Sequence, residues 1–196
     1  VVGHSSGGTA AILATSSRPD LFGRAILVEP AIPSLGEPDL RNSSRRIAYR
    51  ARRRRNSFPS TGTFFEYFRS RHRFRLWTDE TLWLHAFYGT HMGLDGMLHL
   101  KCPPNIEARI IENNQSVDAL AALSKMRCPT LLITSNDWPT EAVERVRDSM
   151  NDITHVKLAG TTHFLPFEQP EAFVNAILDF AWNNIGGEHC RIQCKS

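Results

Sequence analysis

The residues best suited to chemistry stand at the start of the chain. Gly3-His4-Ser5-Ser6-Gly7-Gly8 fits the pattern G-x-S-x-G. Such a run, between the end of a strand and the start of a helix, forces a sharp turn and lifts the central serine out of the backbone. Glycines suit the strained angles and the close approach of neighbouring chain expected at Gly3 and Gly7. Ser5 is therefore the candidate nucleophile. Ser6 lacks a glycine two residues before it, but its backbone N–H, at the head of the following helix, can donate to a developing oxyanion.

A serine hydroxyl needs a base to take its proton, and the base needs an orienting carboxylate. Of the eight histidines, His163 alone occupies a loop that follows a predicted strand, in Gly160-Thr161-Thr162-His163-Phe164. His4 is expected to support the turn at Ser5. His72, His85, His91 and His99 fall in an intervening segment, His155 starts a strand, and His189 is in the tail. Two acids compete to orient His163. Asp137, just past the strand predicted at Thr130–Ile133, is favoured. Glu29, just past the strand Ala25–Val28, is the alternative.

These residues need a scaffold. Val1-Val2 reads as the end of a buried strand, and Ser6 to Ser17 as a small-residue helix able to pack closely on a sheet. Ala25-Ile26-Leu27-Val28 reads as a buried parallel strand. The rhythm resumes at Thr130-Leu131-Leu132-Ile133-Thr134. There follow a helix from Thr140 to Met150 capped by Thr140, a strand at His155–Leu158, and a helix from Pro170 to Trp182. The alternation implies a doubly wound parallel sheet. Residues 32–118 break it and read as an inserted helical cap. Helices are predicted there around Asp39–Arg55, Ser60–Arg69 and Asp79–Phe87, with a short one at Ser116–Ser124. Residues 1–31 and 119–185 would then form the core, and 186–196 a tail.

Charge is unevenly spread over the 196 residues, whose formal net charge is +3. Between Arg41 and Arg75 stand twelve arginines and a single acid, Glu66, whereas the rest of the chain carries 11 basic and 19 acidic residues. The arginines read either as a solvated face salt-bridged to the acidic body or as a device that draws an anionic substrate. Nucleic-acid binding is disfavoured because no recognised binding fold accompanies them. The four cysteines, Cys102, Cys128, Cys190 and Cys194, are too few and scattered for a disulfide framework. His189, Cys190 and Cys194 lack a matching ligand pair, so no metal is expected, and no cofactor either. There is no apolar run long enough for a membrane span.

Three blocks carry a family resemblance: Gly3–Gly8, Cys128-Pro129-Thr130-Leu131-Leu132-Ile133, and Gly160-Thr161-Thr162-His163-Phe164-Leu165-Pro166-Phe167-Glu168-Gln169-Pro170-Glu171. They resemble the α/β-hydrolase fold-1 superfamily over the chain up to about Asn184. Arg52–Ser60, Tyr67–Arg71, Asp95-Gly96 and Leu100–Pro104 are similar to a capped subgroup of bacteria and fungi. The resemblance implies a serine hydrolase acting on an ester or related acyl bond through Ser5, His163 and an acid. Small-molecule substrates go with it, while the absence of a signal-peptide pattern in Val1-Val2-Gly3-His4-Ser5 makes a cytoplasmic setting the expectation. Some fungal relatives serve toxin biosynthesis in peroxisomes, although Gln193-Cys194-Lys195-Ser196 is not an S-K-L ending. C–C bond hydrolysis on the same triad and a non-catalytic binding role are the other readings. The chain departs from the pattern at Thr134, where many relatives have glycine. It also departs in starting at the turn, where the family has roughly four earlier strands. A truncated chain, weakly active or inactive alone, is therefore expected.

Overall fold

The computed structural model describes residues 1–32, 35, 40–113 and 118–183. The segment expected as a tail, with His189, Cys190 and Cys194, lies outside the described residues. So do Asp39 and Ser116, the expected starts of two helices.

Four parallel strands form the main sheet: β1 (Val2–His4), β2 (Ala25–Val28), β6 (Thr130–Thr134) and β7 (Ile153–Lys157), in that spatial order. Every residue of β2 and β6 is buried, which is why both read as unbroken apolar runs rather than alternating ones. β1 pairs with β2 alone among the described strands, and Val2 on it is 55% exposed.

Helices cover both faces of the sheet. α1 (Ser6–Ser17) buries Ala11 and Ile12 with α6 (Ala119–Leu123) and α7 (Thr140–Asp148) in one core, which includes Leu27, Leu132, Val143 and Val146. On the opposite face Ile26, Val28, Leu131 and Ile133 pack with Leu165, from the short α8 (Leu165–Glu168), and Phe180, from α9 (Pro170–Asn183). Each fully buried side chain of this kind contributes roughly 1.5–3 kcal/mol. Thr140 is the first residue of α7 rather than its cap; Pro139 holds the cap position, and no side chain caps the helix. Asp118 caps α6, accepting from Ala121 N at 3.0 Å.

Between β2 and β6 the chain leaves the sheet. α2 (Leu40–Arg52) packs against α5 (Pro104–Asn113) through Ala48, Ala51 and Ala108. α3 (Thr61–Arg69) and α4 (Asp79–Tyr88) enclose an aromatic cluster of Phe58, Phe64, Phe68 and Trp77. Ser60 and Thr78 cap these helices, each accepting the N–H three residues on at 3.1 Å. The insert is not purely helical. β3 (Ser57–Phe58), β4 (Thr90–Met92) and β5 (Leu98–Leu100) form a small antiparallel sheet in the order β3-β5-β4. Its hairpin turns at Asp95-Gly96, with Gly96 at φ 73°. Strands of two or three residues are too short to show a period, and α5, opened by a proline at its first position, is a helix beyond those expected in the insert.

The insert is fastened to the loop that carries His163. The Phe167 carbonyl accepts from Thr78 N at 3.3 Å and from Thr81 Oγ1 at 3.0 Å, and the Phe167 ring lies flat on Trp77 at 4.3 Å.

The turn into α1 demands glycine at two places, one of them not the expected one. A Cβ on Gly3 would strike the Gly7 carbonyl and come within 2.8 Å of Gly8 Cα. On Gly8 it would lie 2.8 Å from Pro30 Cβ. On Gly7 it would project into open space. The close approach expected at Gly7 therefore belongs to Gly8, because the neighbouring chain is the loop after β2. Gly3→Ala and Gly8→Ala should each cost roughly 1–3 kcal/mol, and Gly7→Ala should stay within about 0.5 kcal/mol. Urea unfolding of the three variants checks this.

Candidate active site

Ser5 stands between β1 and α1 with φ 54° and ψ −120°. For a residue with a side chain this is a strained conformation, costing of order 1–3 kcal/mol unless its surroundings hold it. They do hold it. Ser5 N donates to Val28 O at 3.0 Å, and Ser5 O accepts from Gly8 N, Thr9 N and Ala31 N at 2.9–3.2 Å. Among the described residues only one other non-glycine has a positive φ, and it is Glu29, at 40°.

The register explains why these two residues are paired. His4 lies opposite Val28 in the β1–β2 ladder, so Ser5 and Glu29 leave adjacent strands side by side. Adjacent strands are about 4.8 Å apart. Glu29 N donates to Ile133 O at 3.0 Å, which fixes its backbone to the third strand.

The Glu29 side chain is 2% exposed. Its Oε1 accepts Ser135 N at 2.7 Å, and its Oε2 accepts His163 Nδ1 at 2.7 Å. Burial pushes its carboxyl upward, but the hydrogen bonds from His163 and Ser135 outweigh that and hold it below the ordinary glutamate range. A buried carboxylate kept ionised beside an imidazole fixes the tautomer with the proton on Nδ1 and leaves Nε2 as the basic nitrogen.

Asp137, the favoured acid in the sequence, does not take this place. It is exposed, and its own N–H donates to Ser135 Oγ at 3.1 Å. Both acids follow strands, so sequence position alone could not separate them. What separates them is the direction of each side chain: Glu29, at a positive φ, turns inward and is buried under the His163 loop, whereas Asp137 is exposed. In the structure the partner of His163 is Glu29.

Two other contacts set the His163 loop, and neither has a signature in the local sequence pattern. His4 Nε2 donates to His163 O at 2.8 Å, and the two rings lie 4.8 Å apart. Burial, and then the neighbouring His163, hold the His4 imidazole below the ordinary histidine range, so it remains a neutral donor. Glu168, itself buried, grips the preceding residue from the other side. Its carboxylate accepts Thr162 N at 2.6 Å and Thr162 Oγ1 at 2.5 Å. Among the described residues His163 hydrogen-bonds Glu29 and His4 but not the Ser5 hydroxyl. In unliganded enzymes that last bond is often long and tightens with substrate. Ser6 opens α1, a helix of 12 residues, where the N-terminal field favours developing negative charge.

Among the described residues, the insert arginines that form ion pairs do so with acids of the insert. Arg52 forms a fork with Glu112 at 2.6 and 2.7 Å, Arg54 reaches Glu107 at 2.6 Å, and Arg69 pairs with Asp79. Arg55 and Arg71 lie over the Tyr67 ring. A cavity of about 370 Å³ lies between α4 and Phe167, lined by Leu84, His85 and Tyr88 among others; Ser5, Glu29 and His163 are not in its wall. No helix among the described residues is long and apolar enough to cross a membrane.

Ionised Glu29 adds a stability term with a defined sign. Its folded-state pKa is lowered, so its contribution is complete above the ordinary glutamate value of about 4.3 and is lost as pH falls through the lowered one. Glu29→Gln should therefore unfold at lower urea at neutral pH and lose part of the acid-side slope that the parent shows below about pH 4.3. Urea titrations between neutral and acidic pH measure both.

Comparison with known proteins identifies the fold and the family. A family model described as "Alpha/beta hydrolase family" matches residues 1–176. Among similar solved structures is E-2-(acetamidomethylene)succinate hydrolase, 19% identical, with a TM-score of 0.76 over 92% of this chain and 65% of that one. A peroxisomal alpha-beta-hydrolase from Saccharomyces cerevisiae is 17% identical, with a TM-score of 0.74 over 97% of this chain and 54% of that one. An esterase from M. tuberculosis is 18% identical, with a TM-score of 0.68 over 93% and 62%. The chain thus spans between about half and two thirds of the length of these structures. A search of curated protein sequences returned no match.

Proposed function

The chain belongs to the alpha/beta hydrolase family, and from that premise we propose that it carries the nucleophile, base and acid of a serine hydrolase acting on an ester or related acyl bond. Ser5 attacks the acyl carbon. His163 Nε2 takes the hydroxyl proton and returns it to the leaving group. Glu29 holds the Nδ1 proton and stabilises the imidazolium that forms. The Ser6 N–H, at the head of α1, receives the oxyanion.

The observation that carries this reading is the buried Glu29–His163 hydrogen bond beside a serine in a strained turn. A carboxylate this deeply buried is costly unless its charge is used or fully paired, and such pairs concentrate at catalytic sites. The names of the similar structures, a succinate-derivative hydrolase and an esterase, support an acyl substrate without selecting one. The helical insert, acting as a cap, would then shape the acyl pocket, and its net positive charge favours an anionic substrate.

Fluorophosphonate labelling tests the assignment. The parent should label, and Ser5→Ala should not. Glu29→Gln should label roughly 10³- to 10⁴-fold more slowly, the usual loss when the orienting carboxylate is removed, whereas Asp137→Asn should stay within about twofold, as an exposed side chain outside the pair should. Labelling that survives in Ser5→Ala, or that falls with Asp137→Asn and not with Glu29→Gln, would reject it.

A further inference from the structure

Arg73, an arginine of the insert, stands near the candidate chemistry with its donors unused by any described residue. Its guanidinium carbon lies 5.2 Å over the ring of Phe164, the residue after His163. The His163 and Phe164 rings are 5.8 Å apart. Laid end to end, the two separations put the guanidinium no more than about 11 Å from the imidazole.

Stacking on an aromatic face uses the plane of a guanidinium and leaves the five N–H groups on its edge unpaired. Arg73 makes no hydrogen bond or ion pair to any described residue, unlike Arg52, Arg54 and Arg69. The acid in its vicinity, Glu107, is already taken by Arg54 at 2.6 Å. Arg54 and Arg50 add further positive charge to its surroundings. Crowding by protein and these like charges hold its pKa below the ordinary arginine value. Its side chain nonetheless remains open to solvent. A second donor without an acceptor lies against the same ring: Trp77, 5% exposed, packs 5.3 Å from Phe164, and its indole N–H has no partner among the described residues.

We propose that Arg73 is the specificity residue of this site, its guanidinium fork holding a carboxylate that the substrate carries a few carbons from its scissile carbonyl. The inference rests on the hydrolase reading for where that carbonyl sits. It goes further by naming the substrate class: short acyl compounds ending in a second, ionised carboxylate. A fork suits a carboxylate because two parallel N–H···O bonds form at once. The span to His163 limits the linker to a few methylenes. The exposed arginines of α2, such as Arg46, are too general a surface to set that distance.

Two measurements test it. In the first, glutarate is titrated into Ser5→Ala protein by calorimetry. Binding should be measurable, should weaken about tenfold to a hundredfold when Arg73→Gln is added, and should weaken less with Arg73→Lys, which keeps charge and loses the fork. Arg46→Gln should change nothing, and the uncharged glutaric diamide should not compete. In the second, turnover of a glutarate monoester is compared with that of a neutral butyrate ester. Arg73→Gln should lower the preference for the anionic ester at least tenfold, mainly through KM. Glutarate binding indifferent to Arg73→Gln, or an unchanged ester preference, overturns the proposal. Turnover of neither ester together with Arg73-dependent glutarate binding would instead remove the hydrolase reading and leave the anion site standing.

Discussion

A carboxylate taken out of water has to be met by donors, and in this chain nearly everything at the sheet's rim follows from how Glu29 is met. Ser135 supplies one N–H and His163 the other, both at 2.7 Å. Glu29 meets them from a positive φ that no other described side-chain-bearing residue adopts except Ser5. Two strained residues at the ends of adjacent strands are thus held by one set of bonds, in which the β1–β2 ladder, the β6 loop and the His163 loop all take part. Strain of this sort persists only where the surroundings over-determine it.

The imidazole is held from three directions. Glu29 fixes its Nδ1, His4 holds its carbonyl, and Glu168 grips the residue before it. Beyond it, Phe164 and Phe167 sit in the aromatic cluster of the insert, against Phe74 and Trp77. The insert and the base are therefore mechanically joined, so a displacement of α4 would be felt at His163. Arg73 and Trp77 both pack against Phe164, the residue next to the base.

Much of this was legible in the sequence, and what was not has physical reasons. The turn at Ser5, the parallel strands and the loop of His163 showed themselves through local patterns: glycine spacing, apolar runs, a proline opening α9. The acid did not. Asp137 and Glu29 each follow a strand, and what tells them apart is the backbone turn at Glu29, whose positive φ accompanies a side chain buried against His163, a tertiary feature with no local pattern. The same holds for Gly8, whose constraint is the Pro30 ring contributed by another loop. It holds too for Arg52 and Arg54, whose partners lie on α5, more than fifty residues away in the chain. The three strands of the insert are too short for a periodic signal.

The claim at the centre of this account is that Glu29, and not Asp137, holds the Nδ1 proton of His163. Nitrogen-15 NMR of the labelled imidazole reads this directly. At neutral pH the account predicts a ring protonated on Nδ1 with a bare Nε2, a downfield Nδ1 proton that disappears in Glu29→Ala, and a spectrum that Asp137→Ala leaves unchanged. A ring protonated on Nε2, or a downfield proton that vanishes with Asp137 and survives the loss of Glu29, would contradict it.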